Sequence, residues 1–219
     1  MKTRQEIKAI GKQRFSEFYW PCVGAAVIPV LISGVLSAVG NGNEKLASIC
    51  SLIALLVVGN LLIGGCYFFI QRILGRTDIS VSTIFSAGFA GYGRKLGGYL
   101  LTQLYTFLWS LLLIVPGIIK GYAYALTPYI LSDCPNVKAN DARKLSIRIM
   151  QGHKWELFVF QLSFIGWILL SAITGGILAI FYVGPYMSSS IACWYLEARE
   201  EALRNGVITL GQLEGSEAV

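Results

Sequence analysis

Four long stretches of this chain contain no Asp, Glu, Lys, Arg or His, and they constrain the fold more than any other feature. They cover residues 18–43, 46–71, 96–119 and 157–196 of a 219-residue sequence. About 20 apolar residues cross a bilayer core, so the last stretch is about twice as long as one crossing needs. Hydrophobic residues make up 55% and charged residues 14% of the chain, and soluble domains carry about 25% charged residues. The sequence therefore predicts an all-α integral membrane protein.

The number of crossings depends on Lys120, which interrupts the apolar segment 96–133. One long kinked helix over this segment gives five spans and leaves Lys120 inside the bilayer. A turn at Pro116–Gly117 gives six spans, and then Lys120 lies just past an outer turn. Six spans place all Lys and Arg residues except Lys45 and Lys120 on one side, as the positive-inside rule requires. A lysine at the centre of a span also costs about 3 kcal/mol, so six spans are favoured.

The predicted architecture is a single polytopic membrane domain of residues 1–205, followed by a short cytoplasmic tail of residues 206–219. Both termini are expected on the cytoplasmic side of a plasma membrane. The short fourth span contains Pro128, which removes a backbone hydrogen bond and can kink it. The six predicted spans are approximately residues 21–40, 46–70, 96–115, 118–133, 157–174 and 177–197.

An amphipathic segment precedes each pair of predicted spans. They are the basic N-terminal arm, residues 78–95 and residues 140–155. Helices of this kind lie in the membrane interface with their basic side chains towards anionic lipid. We therefore predict three transmembrane hairpins, each preceded by an interfacial helix. Residues 109–129 and 167–186 share a Trp, a turn and a Pro-Tyr pair, which suggests an internal repeat. The candidate lipid headgroup contacts are Lys138, Arg143, Lys144, Arg148 and Lys154.

Two further patterns predict contacts inside the membrane. Tyrosines and serines share helix faces in the fourth and sixth predicted spans. They could form a polar groove, or hydrogen-bond between helices. The candidate groove residues are Tyr122, Tyr129, Tyr182, Tyr186, Ser189 and Ser190. Small residues and prolines mark close helix contacts and turns. These candidates are Gly93, Gly97, Pro116, Gly117, Gly121, Pro128, Gly175, Gly176 and Pro185.

The sequence offers no pattern typical of an enzyme. Its five cysteines are widely spaced, and His153 is the single histidine, so neither a metal site nor a nucleophile with its base is predicted. We expect no catalytic residue, no metal, no cofactor and no nucleic acid partner. The expected activity is binding of lipid or a small amphiphile, with anionic lipids as partners. The alternative is an accessory subunit of an exporter or self-immunity system, which would dock a membrane protein partner or a second copy.

Two strings in the chain resemble a known family. "PGIIKGYAYALTPYILSD" covers residues 116–133 and "GHKWELF" covers residues 152–158. Both resemble the bacterial integral membrane proteins of domain-of-unknown-function family 975, and the resemblance extends from the basic arm to residue 200. The family occurs mostly in Gram-positive bacteria, which implies a plasma membrane location. It has no assigned chemistry, so the resemblance implies no catalytic residue.

Overall fold

The computed structural model describes residues 2–219, and all regular secondary structure in this range is helical. This confirms the all-α class. The elements in chain order are α1 (Arg4–Glu17), α2 (Tyr19–Val39), α3 (Glu44–Ile73), α4 (Thr83–Phe89), α5 (Tyr92–Leu112), α6 (Ile114–Tyr124), α7 (Thr127–Asp133), α8 (Ala139–Ile149), α9 (Lys154–Leu162), α10 (Ile165–Ile173), a π-helical turn (Ala179–Val183), α11 (Gly184–Arg204) and α12 (Leu210–Glu214).

Three helical segments of the described chain, rather than the predicted six, are long and apolar enough to cross a membrane. They are Tyr19–Val39, Glu44–Ile73 and Lys154–Ile173, the last formed by α9 and α10. They overlap the first, second and fifth predicted spans, and they are consistent with a membrane protein. The predicted count of six is therefore corrected to three.

The other three predicted spans fail for separate reasons. Helix α5 carries Arg94 and Lys95 near its start and several polar residues further along. Helix α6 has only 11 residues and ends where the chain bends into α7, so the predicted span 118–133 is broken. The π-helical turn interrupts the last span, and α11 ends in a charged segment.

Buried and exposed apolar side chains occupy different parts of the bundle. The core lies between α1, the second half of α3, α7, α8 and α11, with Phe15, Phe68, Trp194 and Tyr195 almost fully buried. Most exposed large apolar side chains fall in residues 30–62, 104–119 and 162–181. These three ranges flank the α2–α3, α5–α6 and α10–α11 connections. Apolar surface of this extent marks an interaction with lipid or another apolar partner.

Helix α4 packs closely against α3 through two glycines. A Cβ atom at Gly64 would lie 2.1 Å from the carbonyl oxygen of Ile84, and one at Gly88 would lie 2.7 Å from the carbonyl oxygen of Asn60. Contacts this short between backbones exclude any side chain. The two glycines therefore fix how α4 lies on α3.

Basic side chains bind backbone carbonyls at the packed end of the bundle. The Arg94 guanidinium of α5 donates hydrogen bonds to the carbonyl oxygens of Leu131, Cys134 and Val137, at 2.7, 3.1 and 2.9 Å. These carbonyls belong to the last turn of α7 and the chain that follows it, where helix carbonyls lack backbone donors. Arg94 therefore joins the start of α5 to the end of α7.

The predicted tail packs against the rest of the bundle. Gly215, just after α12, comes so close to the chain at Asn136 that a Cβ atom would lie 2.7 Å from the Asn136 carbonyl oxygen. The Lys144 ammonium of α8 donates to the carbonyl oxygen of Val219 at 3.3 Å. The residues that follow α11 thus contact the α7–α8 region.

Candidate functional site

Three cavities follow one another along α3, α5, α6 and α7, with α2 and α11 forming part of the first wall and α9 part of the last. Their volumes are about 350, 260 and 400 Å³. Because neighbouring cavities share wall residues, we describe them together as the α5–α7 groove. Ile63, Tyr99 and Pro128 line both the first and the second cavity, and Thr106, Gly121 and Ala125 line both the second and the third.

Helix α5 supplies a row of hydroxyl groups to the groove. Thr102, Thr106 and Ser110 recur every four residues, a spacing that places them on one helix face. Each hydroxyl donates to the carbonyl oxygen four residues earlier, at 2.8 Å. Their oxygens can still accept a hydrogen bond from a ligand. This row was not predicted from the sequence, although the four-residue spacing inside the charge-free stretch 96–119 could have revealed it.

The small residues of α6 give the groove its width. A Cβ atom at Gly117 would lie 2.5 Å from the Ser110 hydroxyl, whereas one at Gly121 would lie 3.9 Å from the Thr106 methyl group. Helices α5 and α6 thus pack antiparallel, and they approach most closely near their connection. Beyond Gly121, the Tyr122 hydroxyl donates to the side-chain carbonyl of Gln161 at 2.9 Å.

The chain turns at Leu113 rather than at Pro116–Gly117. Leu113 has an extended backbone, with φ −159° and ψ 140°, between α5 and α6. Pro116 and Gly117 lie in the first turn of α6, where the missing amide hydrogen of proline costs no helical hydrogen bond. Lys120 follows one turn later, and its ammonium nitrogen lies 4.8 Å from the centre of the Trp109 ring.

One wall of the groove contains an unsatisfied polar atom. Thr127 is 1% exposed, and within residues 2–219 its hydroxyl oxygen has no hydrogen-bond partner. A buried hydroxyl without a partner costs about 1–3 kcal/mol. Because this oxygen has almost no accessible surface, a ligand in the groove can hydrogen-bond it after a local shift of the wall. Nearby, the Gln103 side-chain amide donates to the Tyr99 hydroxyl at 3.2 Å. The middle of the groove can therefore hydrogen-bond a ligand.

The six predicted groove residues do not line one groove. Tyr122 and Tyr129 line the α5–α7 groove. Tyr182 and Tyr186 instead pack in an aromatic cluster around Phe15 of α1, with ring centres 5.4 and 6.4 Å from the Phe15 ring. The two predicted serines of α11 are buried as well. Ser189 is 1% exposed, and Ser190 lies against Gly11 of α1.

The five predicted headgroup residues have different surroundings. Lys138 and Arg148 are exposed, and Lys154 is half-buried at the start of α9. Lys144 forms an ion pair with Asp141 at 3.4 Å. The Arg143 guanidinium lies over the Tyr105 and Tyr124 rings, at 4.2 and 5.6 Å from their centres. Since Tyr124 also lines the groove, Arg143 lies beside the groove wall.

The remaining predicted glycines and prolines occupy helix starts, connections and open surfaces. A Cβ atom at Gly93 or Gly97 would have no other heavy atom within 4 Å. Gly175 and Gly176 have positive φ values of 62° and 85° in the chain that follows α10, a conformation that favours glycine. Pro128 and Pro185 lie in the first turns of α7 and α11.

A separate cavity outside the α5–α7 groove, of about 540 Å³, lies between α1, α9 and α11. His153 lines it, and its ring nitrogen Nδ1 lies 2.8 Å from the Glu156 carboxylate. On the opposite wall the Lys2 ammonium lies 2.5 Å from Glu197. The hydrogen bond with Glu197 raises the pKa of Lys2 above its ordinary value. Both basic groups are thus held by carboxylates of the protein itself.

Comparison with known protein families gives one match. Residues 111–202 match the family described as "Protein of unknown function (DUF975)". The resemblance to this family is confirmed. The matched range includes both strings that carry the resemblance, and it covers α6 to α10 and most of α11. Helices α1 to α4 and nearly all of α5 precede it. No curated protein and no solved structure matches the chain.

The walls of the groove are mostly apolar, and the polar groups in them can form hydrogen bonds with a ligand. These polar groups are hydroxyls, side-chain amides and the thiol of Cys66. Within residues 2–219, no group of three or more His, Cys, Asp or Glu side chains is arranged to hold a metal ion. The groove is thus suited to binding a molecule that is mostly apolar and carries a few polar atoms.

Proposed function

We propose that this protein is a non-enzymatic membrane protein that binds a lipid or small amphiphile in the α5–α7 groove. The observation that carries the proposal is the unpartnered hydroxyl of Thr127 inside an elongated groove with mostly apolar walls. An acyl chain fits the apolar walls, and a polar group on the chain or near its head can hydrogen-bond Thr127. The hydroxyl row of α5 accepts further hydrogen bonds along the groove.

The proposed location is the bacterial plasma membrane, with both termini cytoplasmic. In this arrangement α2 and α3 cross the membrane as a pair, α9 and α10 cross it once more, and the π-helical turn with the start of α11 returns the chain to the cytoplasmic side. The α5–α6 hairpin also enters the membrane, and α1, α4 and α8 lie at its cytoplasmic surface. The basic residues of α1 and α8 support this orientation because cytoplasmic segments are enriched in Lys and Arg. They also favour anionic lipids as partners. The match to residues 111–202 supports the link to the family, which implies a plasma membrane location.

Native mass spectrometry of the protein, extracted gently from its own membrane, tests the proposal. We expect the wild-type protein to carry a defined adduct of lipid size. Gly121→Phe should reduce the bound fraction at least 10-fold, because the ring fills the space between Gly121 and Thr106. Thr127→Val keeps the size of the side chain and removes the hydroxyl. This variant should reduce the bound fraction by a smaller factor, about 5-fold, because the lost hydrogen bond contributes about 1 kcal/mol to binding.

Gly166→Phe is the matched control, because Gly166 lies on the exposed surface of α10 with no heavy atom within 4 Å of a Cβ atom. It adds the same ring outside the groove and should leave the adduct unchanged. Equal loss of the adduct in both phenylalanine variants would contradict the proposal, as would a wild-type protein that carries no adduct.

The accessory-subunit function is a second candidate, and the open face at Gly93 and Gly97 favours it. Small residues four apart allow two membrane helices to approach closely, and this pair has no neighbour within the described chain. In the same mass spectra, this candidate requires a stoichiometric protein partner or a second copy. Gly97→Leu should remove that partner, and a wild-type protein found as a monomer would count against it.

A further inference from the structure

The depth to which the α5–α6 hairpin enters the membrane follows from its contacts with α8. This hairpin comprises residues 92–124 and turns at Leu113. Neither of its helices is among the three segments that are long and apolar enough to cross a membrane. Apart from Tyr92, its exposed large apolar side chains lie between Leu104 and Ile119, on either side of the turn.

Helix α8 packs across the hairpin well below the turn. The Arg143 guanidinium lies over the rings of Tyr105 in α5 and Tyr124 in α6. The buried Ser146 hydroxyl donates to the carbonyl oxygen of Ala123 at 2.8 Å. These contacts place α8 at the level of Tyr105 and Tyr124 on the two arms of the hairpin.

The hairpin extends only a short distance beyond that level. From Tyr105 to the end of α5 at Leu112, seven residues rise about 10 Å. From Tyr124 back to the start of α6 at Ile114, ten residues rise about 15 Å. The hydrocarbon core of a bilayer is about 30 Å thick. The part of the hairpin beyond α8 therefore matches roughly half of a bilayer.

Helix α8 itself is unsuited to the hydrocarbon core. Its face opposite the hairpin carries the exposed Arg148, and the exposed Lys138 precedes its first turn. Each basic residue costs about 3 kcal/mol at the centre of a membrane. Buried Ala142, Leu145 and Ile149 cover the other face. An amphipathic helix with this distribution lies at a membrane surface.

We infer that the α5–α6 hairpin is re-entrant: it enters one leaflet from the side of α8, turns near the middle of the bilayer and returns to the same side. Its apolar surface is covered by the acyl chains of that leaflet. Lys120 lies one helical turn from Tyr124, and its ammonium group lies over the Trp109 ring of α5, in the part of the hairpin beyond α8. The re-entrant hairpin therefore does not place Lys120 just past an outer turn, as predicted from the sequence.

The inference also specifies the source of the proposed ligand. The cavity of the α5–α7 groove that is lined by Thr106, Ser110 and Gly117 lies in the part of the hairpin beyond α8, so this end of the groove opens to the leaflet on the α8 side, with Arg143 beside the neighbouring wall. A lipid that enters from this leaflet keeps its headgroup near Arg143. This consequence rests on the proposed function, but the depth of the hairpin does not, since it is measured without any ligand.

Labelling of single cysteines with a membrane-impermeant maleimide tests the depth of the hairpin. The five native cysteines are replaced by alanine, and Leu113→Cys reports on the tip, where Leu113 is 65% exposed. Lys45→Cys is the control for the opposite surface, because α3 has 30 residues and spans about 45 Å. Lys138→Cys is the control for the α8 side.

In intact cells we expect the maleimide to label Lys45→Cys and to leave Leu113→Cys at least 10-fold less labelled. After solubilisation in detergent, Leu113→Cys should react fully, which shows that its thiol is exposed on the protein and was protected by lipid. Lys138→Cys should react once the membrane is permeabilised. Labelling of Leu113→Cys in intact cells to the same extent as Lys45→Cys would overturn the inference, whatever the protein binds.

Discussion

Gly64→Ala is expected to destabilise the protein by about 3 kcal/mol, the upper end of the range for overpacked sites. The added Cβ atom would lie 2.1 Å from the carbonyl oxygen of Ile84 and 3.0 Å from its carbonyl carbon. Both are backbone atoms, so α4 must move away from α3 to make room. Thermal unfolding of the purified protein in detergent, followed by circular dichroism, measures the loss.

Gly65→Ala makes the same chemical change at the neighbouring position of α3. A Cβ atom there has no other heavy atom within 4 Å. Alanine is also the better helix former by about 1 kcal/mol, so this variant should be as stable as the wild type or slightly more stable. If the two alanine variants unfolded at the same temperature, the close contact between α3 and α4 would be disproved.

Asp133→Ala is expected to cost about 3 kcal/mol, because it leaves a partly buried positive charge without its partner. The Asp133 carboxylate accepts a hydrogen bond from the Tyr195 hydroxyl at 2.9 Å and forms an ion pair with Arg199. These contacts join the last residue of α7 to α11. The carboxylate side chain is 10% exposed and the Arg199 side chain 23% exposed, so water screens the pair only in part.

A double-mutant cycle separates the ion pair from the general effect of truncation. Arg199→Met removes the charge and keeps an unbranched side chain, and in that background Asp133→Ala should cost at least 1 kcal/mol less than it does alone. Equal costs of Asp133→Ala in both backgrounds would show that the ion pair adds no stability.

Charge and hydropathy predicted the all-α class and three of the six proposed spans. The long uncharged stretches located the three segments that are long and apolar enough to span, since crossing a bilayer demands apolar length and little else. Helices α1, α4 and α8 lie within the three segments predicted to be amphipathic. On the predicted apolar face of α4, Ile84 is buried but Phe85 and Phe89 are exposed, so the amphipathic character of these segments stays a prediction. Whether these helices lie at the membrane surface stays a prediction.

The sequence predicted poorly those features that depend on contacts between distant residues. It placed the turn of the second hairpin at Pro116–Gly117, yet proline in the first turn of a helix is as favourable as proline in a turn. It grouped six tyrosines and serines in one groove because they share helix faces, but a helix face does not reveal which neighbour it meets. Tyr186 meets α1, and Tyr129 meets α3 and α11.

The central claim, that an amphiphile occupies the α5–α7 groove, is tested most directly by photo-crosslinking. The purified protein is placed in bilayers that contain a phospholipid with a diazirine in its acyl chain, and the cross-linked peptides are identified by mass spectrometry. Residues 46–55 of α3 serve as the reference, because their apolar side chains are exposed outside the groove. We predict that the groove-lining residues Thr102, Thr106, Gly121 and Ala125 cross-link, per residue, at least 5-fold more than the reference, and that Gly121→Phe removes the excess. Equal cross-linking of both regions in the wild-type protein would contradict the claim.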